Sequence, residues 1–287
     1  MSSAKSRTHS LSNTTKCRQC NAPLRPGAKY CGRCKCWTRG VTPLSKDKFP
    51  GTKLLSEVES SKGIRHIPTG PWDQCFGVHY ETKRAGIVAG SVNLVGGLPG
   101  AGKSTLSLQL TNALAKSLDK EVIYIAAEED LIEVRERAIR LGLQHMHLIR
   151  GISALGGMQV ELGGLLLAVR PAGIILDSLP GLGLETPEMG VEYCSALKGF
   201  AVELQCPIIV IDHATKQDDL AGLLALQHAV DATLVMYVNP DETRTLAPLK
   251  NRNGPTDVEV RLLMTEHGLV AMPSEEEEEE DEEESNE

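Results

Sequence analysis

Between residues 91 and 213 two apolar patterns alternate along the chain. Short unbroken runs, "SVNLVGG", "EVIYIAAEE", "AGIILDS" and "PIIVIDH", are rich in Val and Ile and read as strands buried on both faces. Between them, "STLSLQLTNALAKSL", "LIEVRERAIRLGL" and "VEYCSALKGFAVELQ" carry apolar residues three and four apart and read as helices. Strands that alternate with helices predict an α/β domain whose parallel sheet is covered on both sides. The pattern then changes. "ATLVMYV", "RTLAPLK", "DVEVRLL" and "LVAM" follow one another across turns, which predicts an antiparallel meander at one edge of the sheet.

The ends of the chain break this pattern and divide it. We expect a basic arm at 1–16, a cysteine-rich module at 17–48, a polar linker at 49–62 and one α/β domain at 63–272. The remainder, 273–287, is an acidic tail with too little apolar surface and too much like charge to fold. Charge follows the same divisions. Residues 1–48 hold eleven Lys and Arg against one acid, Asp47, and residues 273–287 hold eleven acids and no base. A basic arm suits nucleic acid; an acidic tail suits a basic partner or the masking of the arm itself. Only ten residues are Phe, Trp or Tyr, which argues against an interface built mainly on base stacking. No run of eighteen apolar residues and no apolar leader is present, so a cytoplasmic protein without a membrane segment is expected.

Chemistry enters at "GGLPGAGKST". Gly97, four residues, then Gly102-Lys103-Ser104 is a complete phosphate-binding loop between a strand and a helix. Glycines let the backbone N–H groups close on phosphate, and the helix N-terminus adds a favourable dipole. ATP and Mg²⁺ are the expected cofactors, with Gly97, Gly100, Gly102, Lys103, Ser104 and Thr105 as binding residues. Asp177, at the end of "GIILD", is the expected support of the Mg²⁺ shell. Glu128, Glu129 and Asp130 follow the strand "VIYIAA"; three adjacent acids are commonly solvated, but the strand-end position marks Glu128 as a general base for water. His213 ends "PIIVIDH", within reach of a γ-phosphate or serving as an ordinary strand-end histidine. Lys250 and Arg252 stand two apart in an extended segment and so point to one side, towards one target.

Cys17-x2-Cys20 and Cys31-x2-Cys34, ten residues apart, offer four thiolates to one tetrahedral Zn²⁺. Such a module serves as a stabilising clip or, given the surrounding Lys and Arg, as a nucleic-acid contact.

These residues together have a family likeness. The CxxC–CxxC ribbon, Trp37, "IPTGPWDQCFG", "GGLPGAGKSTL", "IDHATKQDDLAGLLALQHAVDATLVM" and "RTLAPLKNRNG" closely resemble the RadA (Sms) recombination ATPases, zinc-ribbon relatives of RecA. The resemblance implies a RecA-like core, a homo-hexameric ring, ATP hydrolysis between subunits and single-stranded DNA in the channel. It implies that Glu128 and Lys103 are catalytic with His213, and that Lys250 and Arg252 face a neighbour's nucleotide. It places DNA-tracking loops at 181–196 and 214–224. Three features depart from the family: an acidic tail stands where a protease-like domain is expected, Pro180 replaces a Gln, and Asn253 replaces a Phe. The last makes "KNRNGPT" similar to DnaB-type replicative helicases. The expected function is an ATP-dependent translocase or helicase on single-stranded DNA in recombination, branch migration or replication. The alternative is a RecA-like ATPase that loads or assembles other proteins without moving.

Overall fold

A computed structural model describes residues 16–17, 19–24, 31, 33–34, 65–154, 162–184, 186–213 and 220–273, the helices at 162–169 and 220–226 in part by backbone alone. The chain divides into two units, 1–61 and 62–287.

In the smaller unit, the described residues centre on four sulfurs. Lys16 bridges Pro23, and Cys17 N–H donates to Ala22 O at 2.9 Å, closing a tight turn over the first knuckle. Cys17 and Cys31 are buried beside Ala22, Leu24, Cys20 and Cys34.

The larger unit is built on a nine-stranded sheet. In chain order the elements are β1 (His66–Ile67), α1 (Asp73–Phe76), β2 (Ile87–Val88), β3 (Val92–Gly97), α2 (Lys103–Leu118), β4 (Val122–Ala126), α3 (Leu131–Arg140) and β5 (Ile149–Ser153). They continue with α4 (Leu162–Val169), β6 (Gly173–Asp177), α5 (Pro187–Leu204), β7 (Ile208–Ile211), α6 (Leu220–Leu226), β8 (Ala232–Val238), β9 (Arg244–Asn251), β10 (Val260–Thr265) and β11 (Gly268–Ala271). The strand order is β11-β10-β9-β8-β3-β7-β6-β4-β5; the run from β8 to β5 is parallel and β9 to β11 are antiparallel. This is the expected α/β architecture with its antiparallel edge.

Every residue of β3, β4, β6 and β7 is buried, because each strand is covered on both faces. One apolar layer joins α1, α2 and α3 to the sheet through Phe76, Leu106, Leu110, Leu114 and Val134. The other joins α4, α5 and α6 through Leu166, Cys194, Leu197 and Leu223. The chain leaves β3 through α2 to one side of the sheet and returns across the other face. This leaves the carboxyl ends of β3, β4, β6 and β7 together at one edge, where ligands bind in such sheets.

Three elements depart from the pattern read in the sequence. β5 is an extra parallel edge strand beside β4. α5 begins at Pro187, capped by Thr186 Oγ1 on Met189 N–H, so 187–196 of the expected DNA loop is helix. Of the second expected loop, 220–224 lies in α6 and 214–219 falls outside the described residues. Residues 1–15 of the basic arm, the linker and residues 274–287 of the acidic tail also lie outside them. Among the described residues no helix is long and apolar enough to cross a membrane.

Candidate functional site: a phosphate loop ringed by strand-end carboxylates

The loop after β3 has the shape its glycines permit. Gly97 has φ +149, and a Cβ there would lie 2.4 Å from Met236 O of the adjacent β8. Gly102 caps α2 with φ +107, and a Cβ would lie 2.7 Å from Met264 Cε. Positive φ disfavours a side chain at both positions, and at Gly97 the neighbouring backbone also leaves no room for one. Gly100 also has positive φ, and Thr105 is buried in the first turn of α2.

Lys103, the first residue of α2, is 3% exposed. Its Nζ donates to Gly97 O at 2.7 Å and Leu98 O at 2.9 Å, which holds the ammonium inside the curve of the loop. Burial pulls its pKa below the usual lysine value; the carboxylates of Asp177, Glu128 and Asp212 act against that shift.

Asp177, ending β6, lies opposite. Its Oδ2 accepts from Tyr124 Oη at 2.6 Å and from Ser107 Oγ at 3.4 Å. Its Oδ1 is buried without a protein partner. Burial raises its pKa, as it does that of Asp212. A cavity of about 10 Å³ between Ser104, Tyr124, Glu128, Glu129 and Asp177 is on the scale of one water or ion. A hydroxyl, an unpartnered carboxylate oxygen and a small polar cavity are a donor set that fits Mg²⁺.

The three acids after β4 separate into three roles. Asp130 caps α3: its Oδ1 accepts from Ile132 N–H and Glu133 N–H, both at 2.8 Å. Glu129 pairs with Arg137 at 2.6 Å. Glu128 alone turns to the other strand ends. Its oxygens lie 2.8 and 3.0 Å from His213 Nε2, and Oε1 accepts from Ser178 Oγ. The structure therefore brings Lys103, Ser104, Asp177, Glu128 and His213 to one edge. Tyr124 and Ser178 belong to this group and were missed in the sequence. A Tyr inside the aliphatic run "VIYIA" was the available signal, since a buried phenol must find a partner.

Lys250 and Arg252 are elsewhere. β8 runs parallel to β3 with Met236 beside Gly97, and β9 returns antiparallel with Lys250 beside Thr233. Arg252 N–H donates to Asp231 O at 3.0 Å. Asp231 precedes Met236 by five residues, roughly 16 Å of strand. The two cations thus sit at the amino end of β8, remote from their own chain's phosphate loop. Lys250 Nζ donates to Val230 O at 2.7 Å and to Gln227 O, while Arg252 is more than half exposed.

In the smaller unit, the four cysteine sulfurs lie within 4.8 Å of one another. Cys17 and Cys34 sulfurs are 3.5 Å apart, and those of Cys20 and Cys31 are 3.7 Å apart. Thiolates bound tetrahedrally at about 2.3 Å from Zn²⁺ stand about 3.8 Å from each other. The cluster fits zinc. The Cys34 N–H is the main cause that lowers the Cys31 pKa to about 6, towards the thiolate a metal needs.

Comparison with known proteins agrees with this geometry. The family model described as "ATPase: KaiC" matches residues 73–151. The DNA repair protein RadA of Haemophilus influenzae is 32% identical over 271 residues, covering 88% of this chain and 58% of that protein. RadA of Helicobacter pylori strain J99 is 33% identical over 274 residues, covering 89% and 59%. RadA of Escherichia coli K12 is 28% identical over 280 residues, covering 90% and 60%. The chain thus spans about three fifths of the length of these relatives. Among solved structures, the KaiC-like protein PH0186 of Pyrococcus horikoshii OT3 superposes with a TM-score of 0.56 over 73% of this chain and all of that one, at 16% identity, which supports the fold alone. Over the span it shares with these relatives, the chain is RadA/Sms-like and carries a RecA-like ATPase fold.

Proposed function

We infer that this protein is a DNA-dependent ATPase that moves along single-stranded DNA as a ring of identical subunits, a hexamer by family likeness, in repair, recombination or replication. The observation that carries the reading is the separation of Lys250 and Arg252 from their own phosphate loop. Cations at the far end of the sheet have no route to their own nucleotide, so a neighbouring subunit's nucleotide is the target in reach.

In this reading the loop N–H groups and Lys103 hold the β- and γ-phosphates. Ser104 and Asp177 would hold Mg²⁺, which when bound neutralises phosphate charge. Glu128 takes the proton of the attacking water, and His213 and Ser178 fix its carboxylate. Arg252 and Lys250 stabilise charge on the transferring group from the next subunit, which ties hydrolysis to movement between subunits. Cys17, Cys20, Cys31 and Cys34 would hold Zn²⁺ and give the basic module a fixed shape for DNA. The acidic tail serves a basic partner protein.

Arg252→Ala is expected to keep nucleotide binding and lose ATPase activity by about a hundredfold or more. Mixed oligomers should carry the defect in the neighbouring site, and single-stranded DNA should stimulate the wild type. An Arg252→Ala protein that hydrolyses ATP normally, or a wild type indifferent to DNA, would sink the proposal.

A further inference from the structure

We propose that Asp231 is the positioning residue of the cationic end: it holds Arg252 in the place from which a neighbouring subunit's phosphates are met. The inference rests on the reading above and adds to it a residue with no contact to nucleotide.

The local chemistry is unusual for a surface arginine. Arg252 is 57% exposed, and its guanidinium Nη1 lies 3.7 Å from Asp231 Oδ1. An arginine left to itself at a surface samples many rotamers, and ordering it at the moment of reaction costs entropy. Asp231 is 7% exposed and fixed from three sides. Its Oδ2 accepts from Val92 N–H at 2.9 Å, which anchors the carboxylate to the first residue of β3, the strand that ends in the phosphate loop. The same Oδ2 accepts from Lys198 Nζ of α5, whose ammonium also donates to Gly90 O at 3.1 Å. With Oδ2 taken by two donors, Oδ1 is left facing Arg252. The backbone adds to the grip, because Asp231 O accepts from Arg252 N–H and Asp231 N–H donates to Val92 O at 2.8 Å.

Charge completes the arrangement. One carboxylate stands among Lys198, Lys250 and Arg252, so the cluster keeps a positive excess suited to an incoming phosphate. The carboxylate is buried while Arg252 is not, so it orients the guanidinium without covering it. A stronger, bidentate pair would neutralise the arginine; 3.7 Å to one oxygen steers it and leaves its donors available.

The test uses full-length Asp231→Asn, which keeps an acceptor for Val92 N–H and removes the charge. Nucleotide affinity and oligomeric state should match the wild type, and kcat should fall by about tenfold with KM little changed. The defect should also be repaired in trans. Lys103→Ala subunits cannot use their own site but present an intact Arg252, so co-assembly with them should restore hydrolysis in Asp231→Asn sites. A merely structural lesion would not be repaired. Wild-type kcat in Asp231→Asn beside an inactive Arg252→Ala overturns the inference and leaves the proposed function standing. Loss of activity that co-assembly does not restore also overturns it. Wild-type activity in Arg252→Ala removes the proposed function itself.

Discussion

An ionised Asp177 works against the fold that holds it. Burial keeps its carboxyl above the ordinary range, so the folded chain binds that proton more tightly than the unfolded chain does. The ionised form therefore costs stability at neutral pH, and the cost shrinks as pH falls from the raised value towards about 4, the ordinary aspartate value. Asn can still accept from Tyr124 Oη without carrying charge. Asp177→Asn should thus melt higher than the wild type at pH 7, by about 2–4 °C for each kcal/mol relieved. The gap should narrow as the buffer is taken down towards the ordinary aspartate value, and ATPase should be lost throughout. A melting temperature at pH 7 equal to or below the wild type would show that Lys103 already compensates the charge. Tyr124 shows why sequence reading stopped short at this scale. The run "VIYIA" announces a buried strand, but whether the phenol meets Asp177 or some backbone carbonyl depends on how β4 and β6 pair. For the same reason the three acids at 128–130 look alike in sequence and become distinct only when α3, Arg137 and His213 take their places around them.

At the scale of elements, α3 supplies a control for that distinction. Asp130 closes a reciprocal capping box with Glu133, and nothing else in the site depends on its side chain. Asp130→Ala should cost about 1 kcal/mol of stability, read by denaturant unfolding, and leave ATPase activity at the wild-type level. A loss of activity as large as that of a Glu128 variant would return Asp130 to the chemistry. The elements most legible in sequence were those with a single physical cause. The fully buried strands β3, β4, β6 and β7 announce themselves as unbroken aliphatic runs, and α2 and α3 by their spacing. β5 was not legible, because "IRGIS" is a half-exposed edge strand without an apolar run and takes its conformation from β4. β1 and β2 are two residues each, too short for any period. The helical start of α5 at Pro187 was hidden by a family likeness that favoured a loop; Thr186 as cap and Pro187 in the first turn were the local signals.

At the scale of the whole molecule, the two units make separate demands. The smaller has a core of four cysteines with Ala22 and Leu24 and no apolar reserve among its described residues, so its fold should depend on metal. The larger has two full apolar layers of its own. A strong zinc chelator should remove about one zinc per chain and abolish amide protection around 17–34, while the melting transition of 65–273 stays where it was. Protection that survives metal removal would make the cysteine cluster a disulfide or apolar clip.

The reversal of direction at β9 has one further consequence. It puts the phosphate loop and the Lys250–Arg252 pair on opposite rims of one sheet. On the proposed reading, in which Lys250 and Arg252 serve a neighbour's nucleotide, a row of subunits placed head to tail completes one site at every junction and leaves one of each kind idle at its ends; closing the row into a ring removes the idle pair. Closure then has a catalytic yield of one extra working site per assembly, which makes the difference between an open and a closed ring countable in turnover per subunit.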